Sequence, residues 1–165
     1  MAVHAEFLCG DLLIVTLHPV PPADDITALA GYRFPGGYYT VAHWENVLLT
    51  GCTGAELLPG NMVHPVALFH LPIAGAGTSI ADMFELGQAE SDLSIMIESY
   101  DWELFAALHE EVRYHITGQI VSAQRCGQES GALYDRLVFQ FEVFSPQQDL
   151  VARTTITWHY TRNTL

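Results

Sequence analysis

Apolar residues follow two different rhythms along the chain, and the change falls near residue 90. Upstream, the densest apolar stretch covers residues 61–86 (NMVHPVALFHLPIAGAGTSIADMFEL) and is apolar on nearly every side. Pro65 stands where a first helical turn tolerates a missing amide, so the pattern predicts a short helix over 66–71, ended by Pro72 and the Gly75-Ala76-Gly77 break. A second helix is expected next, capped by Thr78 or Ser79, with Asp82 in its first turn and Ile80, Met83, Phe84 and Leu86 as its buried stripe. Downstream the period is two. Residues 93–99 (LSIMIES) alternate as a half-buried strand, and residues 112–121 put Val112, Tyr114 and Ile116 on one face with Gly118 as the expected bulge. Strands over 137–144 and 151–160 follow, each after a hairpin-like connection. An all-round apolar segment has to be enclosed, and the strands are the material at hand. The expectation is an α+β fold, a curved antiparallel sheet wrapped around a central apolar helix in which Phe69 is buried.

The first third reads less regularly. Residues 7–18 (FLCGDLLIVTLH) form an expected strand, ended by Pro19 and the Pro21-Pro22 pair. A short helix over 26–30, capped by Asp24 or Asp25 and stopped by Gly31, comes next. Residues 32–39 (YRFPGGYY) read as a loop whose glycines bring backbone close to a ligand, 40–50 as helix and 50–61 as loop.

Length and composition add limits. The 165 residues, half of them hydrophobic, suit one domain spanning 1–165. Nineteen acidic residues face six basic ones, all arginine, for a net charge of −13, which opposes nonspecific nucleic-acid binding. The absence of lysine removes Schiff-base chemistry and the lysine-dependent phosphate loop. No apolar run reaches the roughly 18 residues of a membrane helix, and the first residues lack the basic start of a signal peptide, so a cytoplasmic protein without membrane contact is expected. Cys9, Cys52 and Cys126 are widely spaced and read as free thiols, and neither a metal nor a cofactor is expected. No Gly-x-Ser-x-Gly elbow is present.

Four stretches carry a family resemblance: DITALAG (25–31), VHPVALFHL (63–71), YDWELFAALHEEVRYHITGQIVSAQR (100–125) and LVFQFEVFSPQQDLVARTTITWHYTR (137–162). In their order and pattern the chain resembles the MaoC-like dehydratases and (R)-specific enoyl-CoA hydratases, proteins of the hot-dog fold, and more closely the hot-dog domains that serve as halves or partner subunits in that group. The family's catalytic Asp-x-Asn-Pro-x-His is not kept: residues 34–46 read FPGGYYTVAHWEN, with His43 in the histidine place and Tyr38 where the aspartate belongs. Val63-His64-Pro65 resembles the motif that opens the core helix, where backbone amides face the substrate carbonyl.

The resemblance implies a hydratase or dehydratase, a carbon–oxygen lyase, acting on a β-hydroxyacyl or enoyl thioester of coenzyme A or an acyl carrier protein. Such chemistry needs a group to move the α-proton, one to handle water, and donors at the thioester oxygen. The assigned residues are His43 as acid/base, Tyr39 and Asn46 as hydrogen-bonding orienters, and the segment around His64 as oxyanion site. On a helix His43 and Asn46 share a face while Glu45 points elsewhere. The pocket is expected over 34–46, with the acyl chain along Val66, Phe69 and Leu71, and His70, His109, His115 and His159 are read as structural. Two alternatives stand beside it: a noncatalytic hot-dog subunit that shapes the acyl tunnel for a motif-bearing partner, and a repurposed polyketide-tailoring cyclase, isomerase or thioesterase. A homodimer, or a heterodimer with another hot-dog chain, is expected on the ground that one layer leaves sheet edges open.

Overall fold

The computed structural model describes residues 19–127 and 132–162, so the strand expected over 7–18, with Cys9, lies outside the described residues. The period-two half of the chain forms β2 (Ile95–Leu104), β3 (Arg113–Cys126), β4 (Leu133–Phe144) and β5 (Leu150–Arg162). With a short β1 (Gly37–Thr40) they make one antiparallel sheet in the order β1-β3-β4-β5-β2. Alternation sorts the side chains: Leu137, Phe139, Phe141 and Val143 of β4 and Ile156 and Tyr160 of β5 are fully buried on the inner face, while Gln140, Glu142, Arg153 and Thr155 lie half-buried on the other.

Strand β3 changes phase once. Its register with β4 shifts between Ile120 and Ser122, so Val121 is the extra residue, and Ala123 replaces the even-numbered series on the inner face. The bulge expected at Gly118 therefore sits three residues later. Gly118 is glycine for space: a Cβ there would come 2.5 Å from the Phe141 ring and 3.0 Å from that of Phe34. The phase change aligns Arg125 with Asp135 across the β3–β4 ladder. Asp135 is fully buried and clasped by Arg125 and Arg162, with Arg162 Nε 2.7 Å from Oδ2. Arg162 also donates to the carbonyls of Gly87 and Gln88, and Arg125 to that of Pro21. A buried carboxylate without partners costs several kcal/mol, and here the cations that hold it also tie the sheet to both flanking segments.

Against the inner face lies the apolar segment, broken into pieces. It comprises a 3₁₀ turn (Pro65–Phe69), α3 (Leu71–Gly75) and α4 (Ile80–Leu86), preceded by α1 (Ala23–Thr27) and α2 (His43–Thr53). Pro65 and Pro72 each stand at a helix start, and Ser79 caps α4 by accepting from the Asp82 amide at 3.1 Å. The two helices expected are thus three short segments, and Pro72 opens α3 instead of ending the first helix. Leu68 and Leu71 are buried, but Phe69 is 51% exposed and Ile80 53%, contrary to expectation. Ala67 and Leu68 are the buried positions of the 3₁₀ turn, and the chain turns Phe69 and His70 outward before Leu71 re-enters the core at the start of α3.

Smaller corrections have local causes. Asp24 and Asp25 lie inside the first turn of α1, whose preceding residue, Pro22, makes no side-chain cap. Leu93 is 96% exposed in a 3₁₀ turn (Asp92–Ser94), and the strand begins after it. The helix expected to end at residue 50 continues to Thr53, where Gly54 takes a left-handed φ of 73°.

Leu68→Ala is expected to lower unfolding free energy by about 2–5 kcal/mol, and Phe69→Ala by less than half as much, in urea titrations. Equal losses would contradict the exposure of Phe69.

Candidate functional site

The first turn of α2 distributes its polar side chains between two clusters. Residues three apart share a face, so His43 and Asn46 turn one way and Glu45 the other.

Asn46 is 1% exposed and uses all four of its hydrogen-bonding positions. Its Nδ2 donates to the Met62 carbonyl at 3.2 Å and to Glu110 Oε1 at 2.7 Å. Its Oδ1 accepts from the His64 amide at 3.0 Å and from Thr50 Oγ1 at 3.3 Å. The sequence expectation made Asn46 an orienter of ligand; the geometry gives it protein partners at every position. Glu110, with a side chain 7% exposed, meets His43 Nδ1 at 2.8 Å. Its carboxyl is held below the usual carboxylate range, first by the Asn46 bond and then by His43. A carboxylate only accepts, so His43 carries a proton on Nδ1 and its neutral ring leaves Nε2 as a lone pair; the side chain is 65% exposed.

His64 lies at the start of the 3₁₀ turn, and its Nδ1 accepts from the Val66 amide at 3.2 Å. The Ala67 amide bonds the His64 carbonyl, and Pro65 has no amide to give. The first amides of this turn are therefore committed within the chain. With Nδ1 accepting, the neutral His64 ring carries its proton on Nε2.

The second cluster joins β1, α2 and the residue before α3. Tyr39 Oη lies 2.7 Å from Glu45 Oε1 and 2.9 Å from His70 Nε2. The single phenolic proton goes to the carboxylate, so His70 Nε2–H donates to Tyr39 and the neutral ring leaves Nδ1 unprotonated. Burial, then the bond to Glu45, pushes the Tyr39 hydroxyl up to about 12, which keeps its proton in place. The helical spacing placed Glu45 away from His43, as found, but His70 was expected as a buried structural histidine, whereas its side chain is 55% exposed. The Tyr39–His70 bond spans 31 residues, and no local spacing announces it.

His70 borders an apolar groove of about 350 Å³ between α3 and the start of α4, with Phe69, Ile73, Ala74, Thr78 and Ile80 on its walls. His43 and Asn46 do not line it. The glycine turn expected to approach a ligand serves the fold instead: the Gly36 amide bonds the Ala76 carbonyl at 2.9 Å, and a Cβ on Gly37 would lie 2.7 Å from the Gly75 carbonyl oxygen. The path expected along Val66, Phe69 and Leu71 is not one wall, because Leu71 is 1% exposed and faces the sheet. Phe34, Pro35 and Gly36 do line a polar hollow of about 260 Å³ with Arg33, His115 and Gln119. Cys52 and Cys126 are free thiols, and among the described residues no group of three or more His, Cys, Asp or Glu is arranged to hold a metal ion.

Asn46→Ala, which strands the His64 amide and the Met62 carbonyl, is expected to cost about 2–4 kcal/mol in urea unfolding. Asn46→Asp sets a second carboxylate against Glu110; its deficit relative to the parent should shrink from pH 7 to pH 5 as the pair takes up a proton. A pH-independent deficit would show that Glu110 does not face residue 46.

No family model matches the chain, and no curated protein matches it. Solved structures do. The ChsH1–ChsH2 complex from Mycobacterium tuberculosis is similar with a TM-score of 0.63 and 9% identity, over 87% of this chain and 90% of that one. The HadBC (3R-hydroxyacyl-ACP dehydratase) complex from Mycobacterium tuberculosis is similar with a TM-score of 0.60 and 12% identity, over 81% and 98%. A MaoC-like dehydratase from Phytophthora capsici is similar with a TM-score of 0.58 and 11% identity, over 88% of this chain and 51% of that one. At such identities likeness speaks for the fold alone, and with the strand order and the enclosed apolar segment it leads to one conclusion: the chain has the hot-dog fold, of the α+β class.

Proposed function

We propose that the chain acts on an acyl thioester of coenzyme A or an acyl carrier protein, as a lyase that adds water to an enoyl thioester or removes it from a β-hydroxyacyl thioester. The observation that carries this reading is the His43–Glu110 pair, a histidine whose tautomer is fixed by a carboxylate that Asn46 holds in turn. In dehydration, Nε2 of neutral His43 takes the α-proton, the electron pair forms the Cα–Cβ double bond, and the β-hydroxyl leaves as water with the proton returned by the imidazolium. Glu110 stabilises that imidazolium. Asn46 acts through Glu110 as a positioning residue. Because the amides after His64 are committed, its Nε2–H is the donor proposed for the thioester oxygen, in place of the backbone.

A second reading, a noncatalytic subunit that binds the acyl chain for a catalytic partner, draws on specific observations as well. Pro65 removes the amide where the resemblance puts an oxyanion donor, and two of the similar solved structures are, by name, complexes. The edge strand β2 leaves Met96 64% and Ile97 63% exposed, apolar surface that a second hot-dog layer would cover.

Hydration of crotonyl-CoA separates the readings. Under the first, His43→Ala lowers kcat/KM by about 10²–10⁴-fold and Glu110→Gln lowers kcat with little change in KM. Equal turnover by parent and His43→Ala would end the assignment. Under the second, the chain alone is inactive, and activity appears on adding a motif-bearing hot-dog chain whether or not His43 is replaced.

A further inference from the structure

The polar hollow beside Arg33 lies on the outer face of the sheet, and none of the residues of the two histidine clusters lines it. Its floor is built from side chains in direct cross-strand register, Gln119 of β3 opposite Gln140 of β4 and Thr117 opposite Glu142. Arg33, Pro35 and Gly36 form the rim, which the backbone fixes. The Phe34 amide donates to the Gly118 carbonyl and the Ile120 amide to the Tyr32 carbonyl, both at 2.9 Å, so Arg33 is pinned opposite Gln119. His115 closes one end, its ring centroid 5.2 Å from that of Tyr38 and 6.1 Å from that of Phe144. The protein uses little of this polarity itself. Arg33, His115, Thr117, Gln119 and Gln140 make no side-chain hydrogen bond among the described residues. Arg153 takes only Oε1 of Glu142, from Nε at 3.1 Å and from Nη2 at 3.0 Å, which leaves Oε2 open. Among the described residues Arg33 is also the arginine that neither a carboxylate nor a ring engages.

We propose that this hollow binds a free α-amino acid with a polar side chain, its carboxylate on the Arg33 guanidinium, its ammonium on Oε2 of Glu142 and its side chain over Gln119 and Gln140. The donor and acceptor roles decide the ligand chemistry. A guanidinium only donates and takes a carboxylate with two parallel bonds, whereas the open oxygen of Glu142 only accepts and takes an ammonium. The register sets these two charges diagonally across the floor, with the Gln119–Gln140 pair beside them, and each glutamine amide offers both a donor and an acceptor. Net charge selects in the same direction. A chain carrying −13 repels a plain anion, while a zwitterion has no net charge to be repelled. The volume of about 260 Å³ falls below the roughly 300–1,000 Å³ of pockets for drug-sized ligands and suits a molecule of amino-acid size. The inference uses no residue of the His43–Glu110 pair and rests on no part of the acyl-thioester reading.

Calorimetric titration with L-glutamine, its α-amide, which lacks the carboxylate, N-acetyl-L-glutamine, which lacks the ammonium, and inorganic phosphate tests it. The parent is expected to bind L-glutamine about ten- to a hundredfold more tightly than either derivative, the size of one hydrogen bond to a charged group, and more tightly than phosphate. Arg33→Gln should erase the preference for L-glutamine over its α-amide and keep the preference over N-acetyl-L-glutamine. Glu142→Gln should do the reverse; Arg153 keeps Glu103 at 3.3 Å in that variant, and an unchanged melting temperature certifies the fold of each protein. Gln140→Trp, which fills the floor from the outer face, should weaken L-glutamine at least about tenfold without touching either charge. Absence of L-glutamine binding by the parent, equal affinity for L-glutamine and either derivative, phosphate bound as tightly as L-glutamine, or preferences that survive both charge-removing variants overturns the proposal.

Discussion

A single buried amide organises the region between the helices and the sheet. Asn46 joins α2 to the Met62 carbonyl, to the His64 amide and to Glu110 in the connection between β2 and β3. Those partners stand 16 to 64 residues away in the chain, so one side chain closes three loops at once. Being 1% exposed, it has no water to fall back on, and each bond lost leaves a buried group unsatisfied. Everything proposed for His43 depends on this: Glu110 is placed and ionised by Asn46 first, and Glu110 fixes the tautomer of His43.

The fold was largely legible because period-two alternation is a local signal and the sheet obeys it, from the buried odd positions of β4 to the even positions of β5. Prolines and glycines likewise marked where the apolar segment would break. What they did not convey was phase. Whether Phe69 or Leu68 faces the core depends on 3₁₀ rather than α geometry after Pro65, and whether β3 bulges at Gly118 or Val121 depends on the partner strand. The site was legible in residue types rather than in pairings. His43 and Asn46 sharing a face follows from helical spacing, but Glu110, 67 residues from His43, is placed by the fold, and so is His70 against Tyr39.

Charge is used economically at the same time. With 19 acidic residues against six arginines, cations are scarce, and Arg125, Arg136, Arg153 and Arg162 are all paired with carboxylates. Arg113 instead lies 4.0 Å over the Tyr38 ring, a cation–π contact at the edge of the sheet. Around the candidate site the groups opposite the carboxylates are histidines: His43 for Glu110, His70 beside Glu45. Unlike a guanidinium, which only donates, an imidazole presents one donor and one acceptor nitrogen, which sets these two pairs apart from the arginine pairs.

The central claim is that this hot-dog chain moves a proton at the α-carbon of an acyl thioester through His43. Incubating the purified protein with crotonyl-CoA in deuterium oxide and reading the product by mass spectrometry tests it directly. The account predicts 3-hydroxybutyryl-CoA carrying one non-exchangeable deuterium at the α-carbon, formed by the parent and lost in His43→Ala. Unlabelled crotonyl-CoA recovered intact from the parent, or labelling that persists unchanged without His43, would contradict it.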